Sequence, residues 1–100
     1  MLVRSWPHAD RRMSIEVLRG MYDVRRYRVA EYFYPAGTAF VGRTRAVTWY
    51  ILSGVCRARA HEEVLLREGD VAEIDATEYS LFVHSDLKFV AVWDLAPHMN

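Results

Sequence analysis

Along this chain, short stretches of alternating apolar and polar residues are separated by turn-forming residues. From Met13 to Arg19, "MSIEVLR" sets Met13, Ile15 and Val17 against Ser14 and Glu16, which predicts a short half-buried strand with Leu18 out of phase. Residues 10–20 are also the one window with roughly helical spacing. The next run, "MYDVRRYRVAEYFY", is rich in β-branched and aromatic residues and stops at "PAGT", whose Pro35 and Gly37 are turn chemistry. It predicts a second strand, bent near Arg25 and Arg26. "AFVGRTR", "AVTWYILSG", "VCRARA", "EVLLR", "DVAEI", "YSLFVH" and "LKFVAVWDL" follow, each about five to nine residues long. Regular short strands with turns between them predict an all-β barrel or sandwich.

Alternation also assigns faces. In "VCRARA", Arg57 and Arg59 point one way and Cys56, Ala58 and Ala60 the other, so the arginines face solvent. "DVAEI" sets Val71 and Glu73 against Ala72 and Ile74. "TWYILSG" and "KFVAVW" are apolar on both faces, as expected of strands that line a lumen on one side and are covered on the other. A second subunit is the economical cover, so a homodimer is expected. Residues 1–12, with Pro7 and clustered charge, are read as an N-terminal arm, and residues 13–100 as a single barrel domain.

Composition narrows the classes. A chain of 100 residues is long enough for one modest core, and a hydrophobic fraction of 52% with 13% aromatics implies a dense interior, an apolar pocket or a subunit interface. Thirteen basic and thirteen acidic residues cancel without forming long runs of like charge, so no footprint for nucleic acid is present. The single cysteine, Cys56, cannot form an internal disulfide and fits a reducing compartment. No apolar run has the length of a signal peptide's core or of a membrane span. The sequence therefore predicts a cytoplasmic protein with neither a nucleic-acid nor a membrane partner.

The segment "TWYILSG…LREGDVAEI" resembles a cupin: a strand ending in Leu-Ser-Gly, a hairpin, then Glu-Gly-Asp opening the next strand. The resemblance extends roughly from Tyr32 to Leu95, with "YPAGTAF" similar to the turn preceding the first cupin motif. It implies an antiparallel cupin β-barrel, or jelly roll. It also locates the positions where cupins keep metal ligands. Counting from Gly37 puts Arg43 and Arg45 at the two histidine positions of the first motif; counting back from Gly54 puts Val41 and Arg43 there, with Val47 at the glutamate. In the second motif, counting from Gly69 puts Asp75, Thr77, Ser80 and His84 at its four landmarks, with Ser80 at the third histidine. Borderline metals need imidazole and carboxylate donors converging in fixed geometry. His8 and His98 lie near the ends, His61 tips a hairpin and His84 ends a strand, so a metal-independent cupin without a cofactor is expected.

In that register Arg45, Trp49 and Ile51 turn inward, as do Glu78, Ser80 and Phe82. With Arg43, at a ligand position of the first motif, they would form an aromatic-lined cavity bearing one or two arginines and a carboxylate; the alternative is that Trp49 and Phe82 are core and that Arg43 and Arg45 lie on a loop rim in water. Arginine forks onto carboxylate or phosphate and aromatics bury apolar bodies, so the site suits a small organic ligand with an anionic or polar group. Tyr34, two residues from Tyr32 beside the Pro-Gly turn, could reach such a ligand with its phenol. Isomerase, epimerase or cyclase chemistry is one outcome; the alternative is a non-catalytic cupin used for dimerisation, sensing or partner binding. Cys56 reads as a buried structural thiol, and Glu62–Glu63 and Asp70 as turn residues.

Overall fold

The computed structural model describes residues 1–75 and 77–95. It contains β1 (Leu2–Ser5), α1 (Ile15–Met21), β2 (Tyr27–Tyr34), β3 (Ala39–Thr44), β4 (Val47–Arg59), β5 (Glu63–Arg67), β6 (Asp70–Ile74) and β7 (Thr77–Asp94). The strands run antiparallel in the order β1-β6-β4-β7-β2, with β3 added on β7 and β5 on β4. The expected all-β cupin-like barrel is present. His98 lies outside the described residues.

Two strands carry the architecture. The sequence predicts a break at Gly54 and another after His84, but in each case the chain continues as one long strand that bends. The first half of β4 pairs with β6 and its second half with β5; β7 pairs first with β3 and then with β2. Between the halves, the β4–β7 register shifts repeatedly from Ile51 to Cys56, the irregularity that bends a flat ladder around the core. Gly54 sits at this bend with φ +90°, and a Cβ there would lie 2.2 Å from the Asp86 carbonyl oxygen. The bend also reverses parity along β4: Trp49 and Ile51 enter the lumen before it, Cys56 and Ala58 after it.

Residues 13–19, read as a strand, form the start of a helix. Ser14 caps it by accepting the Val17 N–H at 3.1 Å, with Glu16 in the first turn and Arg19 in the last, where each suits the helix dipole. Leu18, out of phase in the strand reading, is the residue that the helix buries completely. A seven-residue helix is marginal alone, so packing against the sheet decides its formation. Leu18 packs with Tyr50, Val71, Val90 and Val92 on the outer face of the barrel, joined by Trp6, Met13 and Tyr22, and Tyr22 and Tyr50 share a hydroxyl–hydroxyl hydrogen bond. This part of the outer face, for which the sequence suggested a second subunit, is covered by the chain's own helix. Residues 2–5 pair with β6, so the N-terminal segment is part of the sheet.

Inside, Ile51, Cys56, Ala58, Leu66, Val83 and Leu87 are fully buried and close-packed. Arg57 and Arg59 face solvent, as alternation predicted, and of the two sets in "DVAEI" it is Ala72 and Ile74 that face the lumen. Asp70 accepts the Arg67 N–H at 2.9 Å in the expected turn. Among the described residues no helix is long and apolar enough to cross a membrane.

Candidate functional site

At the end of the lumen away from the aliphatic core, the barrel is open. A cavity of about 250 Å³ lies between β2, β3, β4 and β7. Tyr32 and Tyr34 enter it from β2, Thr44 from β3, Trp49 from β4, and Tyr79, Phe89, Ala91 and Trp93 from β7. Tyr32 and Tyr34 on β2, and Phe89, Ala91 and Trp93 on β7, are alternate residues, which places these side chains on one face. Gly42 leaves room for Tyr79: a Cβ there would approach the Tyr79 ring to 3.2 Å.

The rings are arranged as walls. Tyr32 and Tyr34 lie side by side, 6.4 Å apart and 7° from parallel, with Phe89 5.5 Å from Tyr32 at 24°. Trp93 stands across Tyr32 at 81° and 6.1 Å, and Tyr79 across Trp49 at 76° and 5.3 Å. Burial holds the Tyr34 phenol above its ordinary pKa, with Tyr32 adding to the shift; burial does the same for Tyr79, reinforced by Tyr34 and Tyr32. Both are neutral at physiological pH and can donate hydrogen bonds. A second cleft, of about 290 Å³, adjoins the cavity through their common residues Tyr32 and Trp93 and is completed by Arg28, Arg45 and Leu95. The Arg28 guanidinium lies 5.8 Å over the Trp93 ring, and Arg45 donates to the Asp94 carbonyl at 3.2 Å.

The sequence-predicted site residues divide into two groups. Trp49, only 4% exposed, and Tyr34 line the cavity, and Arg45 lines the adjoining cleft. Arg43 borders the cavity, but its side chain is 86% exposed and turns away to pair with Glu78 at 3.8 Å. Glu78, Ser80 and Phe82 are a correction: they lie on the outer face. Glu78 sits opposite Arg43 across the β3–β7 ladder, and Ser80 and Phe82 line a surface groove with Val41, Arg57 and Arg59. The inward parity of β7 is Tyr79, Leu81 and Val83, which a motif count anchored at Gly69 missed by one residue. The signal was in "EYSLFVH", where Tyr79, Leu81 and Val83 form the more apolar set and the alternates include Glu78, Ser80 and His84. Along the same strand the alternation Phe89, Ala91, Trp93 would have supplied the remaining wall.

The positions aligned with metal ligands do not fit a metal. Val41 faces solvent, Arg43 points outward, and Val47 is buried in the core. His84 packs against Phe82 on the outer face at 4.9 Å, His8 against Trp6 at 4.8 Å, and His61 is exposed at a hairpin tip. Among the described residues no group of three His, Cys, Asp or Glu side chains could hold an ion. Cys56 is buried at the bend, and burial, with a smaller contribution from Asp70, pushes its thiol pKa up to about 12.

No family model matches the sequence, and no curated protein matches it. Solved structures do. Ectoine synthase from P. lautus superposes with a TM-score of 0.64 at 16% identity, over 68% of this chain and 53% of that one, so the chain spans about half its length. A cupin superfamily protein from Desulfitobacterium hafniense gives a TM-score of 0.63 at 12% identity, over 95% of this chain and 77% of that one. A predicted oxalate decarboxylase from Thermotoga maritima gives 0.61 at 25% identity, over 84% and 76%. Strand order, the bent long strands and these superpositions agree: the chain has the fold of a small cupin domain.

Proposed function

We propose that this cupin binds a small organic anion in the open end of its lumen, and does so without a metal. The observation that carries this reading is the cavity itself: aromatic walls, neutral phenols and an adjoining cleft with two arginines, with no carboxylate in either lining. Arg28 and Arg45 can receive a carboxylate or phosphate, while the rings bury the apolar body. Metal independence is supported by the lining's lack of imidazole, thiol and carboxylate donors.

Binding is placed ahead of isomerase, epimerase or cyclase activity. A proton-transfer reaction needs a base of suitable pKa within reach of the substrate. The titratable cavity-lining groups are tyrosines and Arg43, and Tyr34 and Tyr79 are pushed further from ionisation. Such groups donate hydrogen bonds rather than take protons.

The test is a titration of small carboxylates and phosphates followed by tryptophan fluorescence, because Trp49 and Trp93 line the site. Saturable quenching, weakened about tenfold or more in Arg45→Ala, is the expected outcome. A response to no member of the panel contradicts the reading.

A second reading, a homodimer formed through the outer face of β3, β7, β4 and β5, is favoured by Val41 (68% exposed), Leu65 (45%) and Phe82 (36%) on that face. Arg57, ion-paired with Glu63 at 3.5 Å, and Arg59 lie beside them and would form the polar rim of a two-fold contact. Light scattering decides it: a dimer that Phe82→Glu converts to monomer supports this interface, and a monomeric wild type contradicts it. The two readings concern different surfaces and can both hold.

A further inference from the structure

The geometry points to a specific ligand class for the cavity: a compact zwitterion, with a quaternary ammonium head against the aromatic walls and a carboxylate at the Arg45 cleft. This inference rests on the ligand-binding reading and adds the chemistry of the head group.

The first argument is shape. A planar ligand ring is held best between two parallel aromatic faces across a gap. Here the near-parallel rings, Tyr32 and Tyr34, lie side by side on one strand and form a single wall. Trp93 stands nearly perpendicular to that wall. Rings meeting at right angles suit a rounded head that touches several faces at once, and a trimethylammonium group is such a shape.

The second argument is charge. Ring faces carry the negative part of the aromatic quadrupole, and cations bind over them most strongly where water is excluded. Trp93 already carries one cation, the Arg28 guanidinium at 5.8 Å. Neither lining contains a carboxylate, so the side chains offer a buried ammonium π faces, phenol oxygens and the Thr44 hydroxyl rather than a counter-ion. A bare cation would also meet Arg28 and Arg45 at the adjoining cleft. A carboxylate on the same molecule removes that conflict by pairing with the arginine fork. The adjoining cavities, sharing Tyr32 and Trp93, offer a place for each end.

The test compares three probes by calorimetric titration: glycine betaine; 3,3-dimethylbutanoate, in which a neutral tert-butyl group replaces the trimethylammonium; and choline, which keeps the head and lacks the carboxylate. Glycine betaine is expected to bind on the order of tenfold more tightly than either of the others. Trp93→Leu, checked for folding by circular dichroism, is expected to erase the preference over 3,3-dimethylbutanoate while leaving that isostere bound. Arg45→Gln is expected to weaken glycine betaine and spare choline. Equal affinity for glycine betaine and 3,3-dimethylbutanoate would overturn the head-group assignment and leave the anion-binding reading standing. Binding of none of the three also overturns the assignment, and the wider carboxylate and phosphate panel then judges the anion-binding reading separately.

Discussion

The two ends of the lumen are built from the same strands but from different kinds of side chain. At one end Ile51, Leu66, Val83 and Leu87 are fully buried and interdigitate as an ordinary aliphatic core. At the other, Tyr32, Tyr34, Tyr79 and Trp93 are only partly buried and leave a cavity of about 250 Å³ among them. Aliphatic chains can fill space completely because they carry no polar atoms to satisfy. Tyrosine and tryptophan bring a polar tip to each ring, and packing them tightly would bury those tips without partners. The difference separates a part of the barrel that makes the fold from a part that is free to make a site.

The largest expected effect comes from the hinge between the ends. Gly54→Ala drives a Cβ into the Asp86 carbonyl and forces alanine into the left-handed region, so a loss of about 4 kcal/mol or more is expected, read by denaturant unfolding or by failure to fold. A near-neutral result would mean that the bend tolerates other geometries. At the filled end, Leu87→Ala should cost about 2–5 kcal/mol through the cavity it leaves, while ligand affinity at the open end stays within about twofold of wild type. Coupled losses of stability and binding would show that the ends are not independent.

Alkaline pH gives an intermediate effect. The Tyr22 phenol, buried and bonded to Tyr50, ionises in the folded protein well above its ordinary value of 10.0, with burial the largest cause. The unfolded chain therefore loses this proton first. Stability is fully present below about pH 10 and declines as pH rises above it; Tyr22→Phe is expected to flatten that decline in equilibrium unfolding. The smallest effect belongs to the Arg43–Glu78 pair, which faces water from the outside of the barrel. Arg43→Ala should change stability by less than about 0.5 kcal/mol, and Glu78→Gln should leave ligand affinity unchanged. A tenfold loss of binding in Glu78→Gln would restore the inward orientation that the sequence suggested.

Strand composition and turn residues made the barrel legible, and the Gly54 and Gly69 spacing made its family resemblance legible. What failed has physical causes. Residues 13–19 satisfy a strand's alternation almost as well as a helix's period, and the choice was made by Leu18 finding a pocket on the sheet, a tertiary fact. Parity is the other weak point, because a shift of one residue sends every side chain to the opposite face. Counting motif positions placed Glu78, Ser80 and Phe82 inside, whereas the apolar alternation of Tyr79, Leu81 and Val83 pointed the right way. Trp49 was placed correctly because it lies two residues after Val47 on the same strand, and the motif count from Gly54 had put Val47 at an inward position. Arg45 sits in the turn between β3 and β4, where alternation no longer specifies direction.

The most direct test of the central claim is a crystal structure of the protein soaked with small carboxylates from the fluorescence panel. A bound molecule is expected in the open end, with its apolar part against Tyr32 and Trp93 and its carboxylate at Arg45. A lumen in which these rings close on one another, leaving no space and no bound carboxylate, would contradict it and make this barrel a scaffold.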